Sequence, residues 1–117
     1  MKNKKVSVMV FSAAWCVGCI SIKPILKELE DKFNITYIDV DNPLNNELAQ
    51  YFKIKTIPTL IVNSGYSDKW LKIKGGNHTL EELTLEIETF AMEQQLEHAV
   101  KCQQLEDLFN LGEDEEL

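Results

Sequence analysis

The chain has 117 residues, 44% of them hydrophobic and 26% charged, which fits one globular domain whose core is large enough to fold without disulfide staples. Its net charge is −7, and all twelve basic residues are lysines, so no arginine is present to fork onto phosphates or base edges. These values exclude nucleic acid as an expected partner and, with only three cysteines, a disulfide framework.

The first residues superficially resemble a secretion signal, because lysines precede an apolar run and a cysteine. That run extends only from Val6 to Phe11 and is interrupted by Ser7, and the bulky Trp15 stands where a cleavage site needs a small residue. No other segment is long and apolar enough to cross a membrane. We therefore expect a cytoplasmic protein without membrane contact, in a reducing compartment where two nearby cysteines are catalytic or metal-binding.

Two predicted elements flank the first cysteines. Residues 5–11, KVSVMVF, are almost continuously apolar and predict a strand buried on both faces. Apolar residues then recur at helical spacing, which predicts a helix from about Cys16 to Phe33. The cysteines thus lie where a buried strand passes into a helix.

The middle of the chain alternates strands with a short helix. Strands are predicted at residues 35–40, 59–63 and 69–74, the last two forming a hairpin. Asn42 as N-cap and Pro43 at the first helical position predict a helix to about Phe52. With a final helix, the order β-α-β-α-β-β-α predicts an α/β fold with a mixed central sheet and helices on both faces.

The final helix is unusually long. Thr79 and Glu82 have the spacing of a capping box and mark its start, and no glycine or proline follows before Gly112. Cys102 is interpreted as a small apolar residue of its later part. We divide the chain into three parts. They are a domain at residues 1–92, an added helical segment at residues 93–110 that folds back or packs on a partner, and a flexible acidic tail at residues 111–117.

The pair Cys16 and Cys19 is the strongest chemical signal. A thiolate attacks disulfides, so a redox cysteine must be exposed and have a lowered pKa, which the unpaired N–H groups and positive dipole of a helix N-terminus provide. In this position Cys16 attacks, and Cys19, one turn further on the same face, resolves the mixed disulfide. Two other interpretations stay open: a zinc site that adds His98 and Cys102, or two ordinary buried thiols.

Two motifs carry a resemblance to a known family. The centre WCVGC at residues 15–19, with Pro24 behind it, and the segment TIPTL at residues 56–60 resemble the WCGPC centre and the cis-proline segment of thioredoxins. The resemblance covers residues 5–92 and implies a thioredoxin-like fold that lacks the family's usual first strand and helix. It also implies a cis peptide bond before Pro58.

The resemblance implies a role for each matching residue. Cys16 is the expected nucleophile and Cys19 the expected resolving thiol of a protein dithiol–disulfide oxidoreductase. Protein disulfides are the implied substrates, the cysteine pair is the only implied redox group, and a thioredoxin reductase using NADPH is the implied partner. The residues expected to line the substrate groove are Trp15, Val17, Gly18, Ile57, Pro58 and Gly75.

The sequence departs from the family behind the cysteines. Val10 occupies the position of the family's buried aspartate, and Tyr37 roughly that of the lysine that accompanies it. Without this carboxylate we expect slower resolution by Cys19, a lower pKa for Cys16 and a less reducing potential. Two alternatives are a disulfide oxidase or isomerase, and a binding or homo-oligomerisation module that uses the C-terminal helix.

Overall fold

The structure, a computed structural model, describes the backbone of residues 3–115 and the side chains of residues 5–108. Within these residues the order of elements is β-α-β-α-β-β-α, which confirms the predicted α/β fold. The strands are β1 (Asn3–Ser12), β2 (Phe33–Asp39), β3 (Thr59–Asn63) and β4 (Trp70–Lys74). The helices are α1 (Val17–Leu29), α2 (Asn46–Tyr51) and α3 (Leu80–Glu115), with a 3₁₀ turn at Pro43–Asn45 before α2.

The strands form one mixed sheet in the order β2-β1-β3-β4. β1 runs parallel to β2, with Val10 opposite Tyr37, and antiparallel to β3, with Phe11 opposite Thr59. β3 and β4 form the predicted antiparallel hairpin. Consequently the carboxyl ends of β1 and β2 and the amino end of β3 meet at one end of the sheet, where the cysteines follow β1.

One face of the sheet is covered by α1 and α3. Val6, Val8 and Val10 alternate along β1 and are at most 1% exposed. The apolar stripes of both helices pack against them, as a 3.6-residue period requires. The buried helix residues are Ile22, Leu26, Leu29, Leu83, Ile87 and Ala91. This main core holds α1 against the sheet and so positions the cysteines at the start of the helix.

The opposite face is buried over only part of its length. Phe11 and Ile61 cluster there with Phe52, which follows α2, and the ring centroids of Phe11 and Phe52 are 6.1 Å apart. Ser7, on the same face of β1, is exposed. The prediction that β1 is buried on both faces is therefore wrong for its first half, because α2, with six residues, covers only the end near the cysteines.

α1 ends about one turn earlier than predicted. The Lys32 N–H donates to the Leu29 carbonyl at 2.9 Å in a closing turn, and Phe33 begins β2. Phe33 is still buried in the main core, which explains why its spacing fitted the helical stripe. Asn42 caps the next element as predicted, since its Oδ1 accepts a hydrogen bond from the Leu44 N–H at 3.0 Å, although the first turn is 3₁₀.

α3 begins at the predicted capping box, where the Thr79 Oγ1 accepts a hydrogen bond from the Glu82 N–H at 3.1 Å. It is one continuous helix, without a break at the predicted boundary between residues 92 and 93. Residues 111–115 of the predicted tail belong to the helix, and residues 116–117 lie outside the described residues. No helix of the described part is both long and apolar enough to cross a membrane.

Among the α3 side chains that the structure describes, residues 80–108, those of the first part contact the rest of the domain. In the inner segment, residues 80–98, Gln94 is 5% exposed and its Oε1 accepts a hydrogen bond from the Ser67 Oγ at 2.8 Å. His98 ends this segment against the turn between β3 and β4. The outer segment, residues 99–108, is exposed at every position, so the expectation that it folds back is wrong. Packing on a partner stays a prediction.

Candidate functional site

Cys16 is the N-cap of α1, and Cys19 lies in its first turn. The two residues are joined as a disulfide, with their Cα atoms 5.2 Å apart. The Ile20 N–H makes the first bond of the helix, to the Cys16 carbonyl, and the preceding Cys19 N–H points at the Cys16 Sγ at 3.2 Å. This N–H and the positive end of the helix stabilise negative charge on the sulfur once the disulfide is reduced.

Both cysteines are largely covered. Cys16 is 6% exposed and Cys19 is 8% exposed, and they cluster with Ala13, Val40 and Ile57. The expectation that Cys16 is exposed is therefore wrong for this oxidised form, because apolar neighbours cover most of the residue. Only a small part of Cys16 is left for a substrate to approach.

The peptide bond between Ile57 and Pro58 is cis, as the resemblance implies. The Ile57 carbonyl oxygen lies 3.6 Å from the Cys16 Sγ. The loop before β3 is held by the Thr59 hydroxyl, which donates to the Thr56 carbonyl at 2.6 Å. The backbone of Ile57 thus lies directly beside the sulfur expected to react.

Glycines hold the cis-proline loop against the start of α1. Gly75, with a φ of +90°, donates its N–H to the Pro58 carbonyl at 2.9 Å. A Cβ on Gly18 would lie 3.3 Å from the Pro58 ring, and one on Gly76 would lie 2.7 Å from the Gly18 carbonyl oxygen. Gly76 is thus a site residue that the sequence reasoning missed, although the Gly-Gly pair was visible. Its lack of a side chain lets the loop after β4 lie against the Gly18 backbone, between the two cysteines.

Trp15 and Val17 form the exposed part of the expected groove, with 66% and 79% of their surface accessible. The Trp15 indole is held in place because its Nε1–H donates to the Asp41 Oδ2 at 2.8 Å. Asp41 lies two residues after the end of β2. No local pattern links residues 26 positions apart, so only the fold reveals that Asp41 orients Trp15.

Val10 lies behind Cys19, 1% exposed, in the wall of a cavity of about 450 Å³. Tyr37, opposite Val10 on β2, lines the same cavity. A tyrosine hydroxyl is protonated at neutral pH, and burial first and the neighbouring Glu30 carboxylate second raise the pKa of Tyr37 further above its ordinary value. Neither Val10 nor Tyr37 therefore offers Cys19 a carboxylate that could accept its proton.

The zinc interpretation is wrong in this structure. Cys16 and Cys19 lie beside Pro58 at one end of β3, whereas the His98 ring lies 5.8 Å from Tyr66 beyond the other end. Cys102 lies 3.7 Å from the His98 Nε2 in the outer segment and is exposed. Among the described residues no three His, Cys, Asp or Glu side chains are grouped to hold a metal ion.

The mixed four-stranded sheet and the disulfide at the start of α1 define an α/β protein with a thioredoxin-like fold. The comparisons with known proteins identify the family. A family model described as thioredoxin matches residues 1–89. The chain therefore belongs to the thioredoxin family. Mitochondrial thioredoxin 3 from Saccharomyces cerevisiae, solved in its oxidised form, has a TM-score of 0.59 and 25% identity, over 75% of this chain and 81% of that one.

Two curated relatives bear on function. The thioredoxin of Bacillus subtilis is 45% identical over 56 residues, which are 44% of this chain and 52% of that protein. The bifunctional thioredoxin reductase/thioredoxin of Mycobacterium leprae is 31% identical over 67 residues, which are 56% of this chain and 15% of that protein. The chain spans about half the length of the curated thioredoxins that it matches.

Proposed function

We propose that the protein is a thiol–disulfide oxidoreductase that reduces disulfides of protein substrates through Cys16 and Cys19. The observation that carries this proposal is the position of the Cys16 Sγ, 3.2 Å from the Cys19 N–H and 3.6 Å from the Ile57 carbonyl oxygen. The helix N-terminus favours the thiolate that attacks. The cis-proline loop beside it offers the backbone groups of Ile57 to an extended substrate.

In the dithiol form, the Cys16 thiolate attacks one sulfur of the substrate disulfide, and the other substrate sulfur leaves as a thiolate and takes up a proton. Cys19 then loses its proton, and its sulfur attacks that of Cys16. This second step breaks the mixed disulfide and releases the second substrate thiol. Two electrons have passed to the substrate, and the protein is left with the Cys16–Cys19 disulfide.

Substrate recognition is assigned to the surface around Cys16. Its proposed members are Trp15, Val17, Gly18, Ile57, Pro58 and Gly75. A substrate strand that pairs with the Ile57 backbone is recognised through main-chain hydrogen bonds. The exposed Trp15 and Val17 add apolar contacts. Such a surface accepts many extended cysteine-containing segments rather than one partner.

Val10 affects the two steps in opposite ways. Because it supplies no carboxylate to accept the Cys19 proton, that proton passes to water and the resolving step is slower than with a carboxylate base. The missing negative charge also lowers the pKa of Cys16, which favours the attacking thiolate. The expected result is a potential less reducing than that of a thioredoxin with the aspartate.

Regeneration of the dithiol needs two electrons from outside the chain. The fused thioredoxin reductase in the Mycobacterium leprae relative supports a thioredoxin reductase, drawing on NADPH, as the partner. The proposed redox group is the cysteine pair alone. The proposed compartment is the cytoplasm, whose reducing poise keeps the exposed Cys102 a free thiol.

The direct test is equilibration with a series of glutathione buffers, followed by alkylation and mass analysis of Cys16 and Cys19. A potential near about −270 mV supports a reductant, whereas one near about −180 mV or higher would make the protein an oxidase or isomerase. Thiols that stay reduced throughout the series would overturn the oxidoreductase proposal. Insulin reduction with dithiothreitol as electron source then measures turnover.

A further inference from the structure

A cavity of about 450 Å³ lies beside Cys19, between α1 and the β2 edge of the sheet. Ligand pockets in proteins range from about 300 to about 1,000 Å³, so this volume accommodates a small molecule. Its wall is mainly apolar and includes Val10, Ala13, Cys19, Ile20 and Leu26. Polar side chains line the rest: Ser12, Lys23, Lys27, Glu30 and Tyr37. No step of the proposed reaction uses this space.

Two of these polar side chains are cations that have no anionic partner among residues 5–108. Lys23 and Lys27 are four residues apart on one face of α1 and are exposed, and neither forms an ion pair with the described residues. Glu30 is the one acid among the described lining residues, and its carboxylate adds to the effect of burial in raising the pKa of Tyr37. The chain as a whole has a net charge of −7, so this local excess of positive charge runs against the overall sign.

The interior of the cavity is suited to an apolar group. Val10 is uncharged, and Leu26 is 2% exposed. A carboxylate at the position of Val10 would repel an entering anion, whereas valine and leucine gain from contact with apolar atoms. An apolar interior with two unneutralised ammonium groups beside it matches a ligand with an apolar body and one anionic group.

We propose that this cavity binds a small amphipathic anion, with its apolar body against Val10 and Leu26 and its carboxylate or sulfonate at Lys23 and Lys27. Since Cys19 is part of the wall, the bound ligand covers the resolving cysteine. It therefore slows release of a mixed disulfide. This second effect rests on the proposed function, whereas binding does not.

The probe is octanoate, and 1-octanol, which has the same chain length without the charge, is the matched control ligand. Both are titrated into the ¹⁵N-labelled full chain, octanoate below its micelle concentration. Octanoate is expected to shift the amide signals of Ala13, Ala14, Cys19 and Ile20, with a Kd on the order of 1 mM. 1-Octanol is expected to shift the same signals with an affinity roughly threefold or more lower.

The charge requirement is tested with Lys23→Gln combined with Lys27→Gln, two exposed positions where the fold tolerates the change. Octanoate affinity is expected to fall about fivefold, and 1-octanol affinity to stay unchanged. Lys55→Gln, at a lysine outside the cavity lining, is the control and is expected to change neither. Three results would each overturn the proposal. They are an equal loss of octanoate affinity in Lys55→Gln, equal affinities of the wild-type chain for octanoate and 1-octanol, and amide shifts confined to other parts of the chain.

Coverage of Cys19 is measured on Cys16→Ser combined with Cys102→Ser, which leaves Cys19 as the single thiol. At an octanoate concentration three times Kd, alkylation by iodoacetamide is expected to be about fourfold slower, because three quarters of the chain is occupied. An unchanged rate would overturn the assignment of the ligand to this wall. A wild-type chain that binds octanoate at these amides and fails to reduce insulin overturns the proposed function alone, and the reverse result overturns the ligand site alone.

Discussion

The start of α1 and the outer segment of α3 both carry a cysteine on a helix, and they differ in everything that controls its chemistry. Cys16 caps its helix, beside an N–H group and the Ile57 carbonyl, and is 6% exposed. Cys102 lies inside α3, where backbone N–H groups are used by the helix, and is exposed with His98 beside it. The comparison teaches that helix position and tertiary neighbours, rather than residue type, create a redox site.

The largest expected effect separates the two cysteines directly. Cys16→Ser removes the attacking sulfur, so insulin reduction is expected to fall to the uncatalysed background. Cys102→Ser removes a thiol far from the groove and is expected to leave the rate unchanged. Comparable losses in the two variants would contradict the comparison and assign Cys102 to the reaction.

The next effect concerns packing. Gly76→Ala places a Cβ 2.7 Å from the Gly18 carbonyl oxygen. That oxygen belongs to the backbone, so it cannot move aside as a flexible side chain could. The free energy of unfolding in urea is expected to fall by about 1–3 kcal/mol, because a tight contact is overpacked. Ala99→Val, which adds more volume in the exposed outer segment, is expected to cost less than about 1 kcal/mol. The packing argument fails if the alanine at position 76 is tolerated as well as the valine at 99.

A smaller effect is expected at the indole of Trp15. Asp41→Ala removes the acceptor that holds the Trp15 Nε1–H at 2.8 Å, and both side chains are exposed. We expect the KM for insulin to rise about threefold, as one exposed hydrogen bond is lost. Asp107→Ala removes a similar exposed bond, from the Gln103 amide at 3.1 Å, in the outer segment. Steady-state kinetics of both variants check this, and equal KM values would mean that Trp15 needs no such support.

The smallest expected effect is on truncation after His98, which removes the outer segment and everything beyond it. Insulin reduction is expected to be unchanged, and stability to change by less than about 1 kcal/mol. Truncation after Phe90 is the contrasting variant, since it also removes the buried Ala91 and Gln94 and is expected to destabilise the domain. Loss of turnover in the shorter truncation would assign the outer segment to the site. Sedimentation of the full chain and the truncated chain tests the predicted homo-oligomer.

Periodicity predicted the elements well because it is a local property. Alternation along β1 and the helical stripe from Ile22 to Leu29 are set by neighbouring residues, and the structure retains both. The errors arose where one residue fitted two patterns. Phe33 continued the helical spacing but begins β2, because a turn after Leu29 redirects the chain and buries the same ring from the sheet.

The sequence by itself determined the order of elements, the CxxC pair at a helix start, the proline loop and the missing carboxylate at Val10, because each is a local pattern or a single residue type. Tertiary structure alone decided that Asp41 holds Trp15, that Gly76 closes on Gly18, and that Cys102 lies away from the disulfide. It also decided that Lys23 and Lys27 stand beside an apolar cavity. These are contacts between elements, and they exist only once the sheet and helices have packed together.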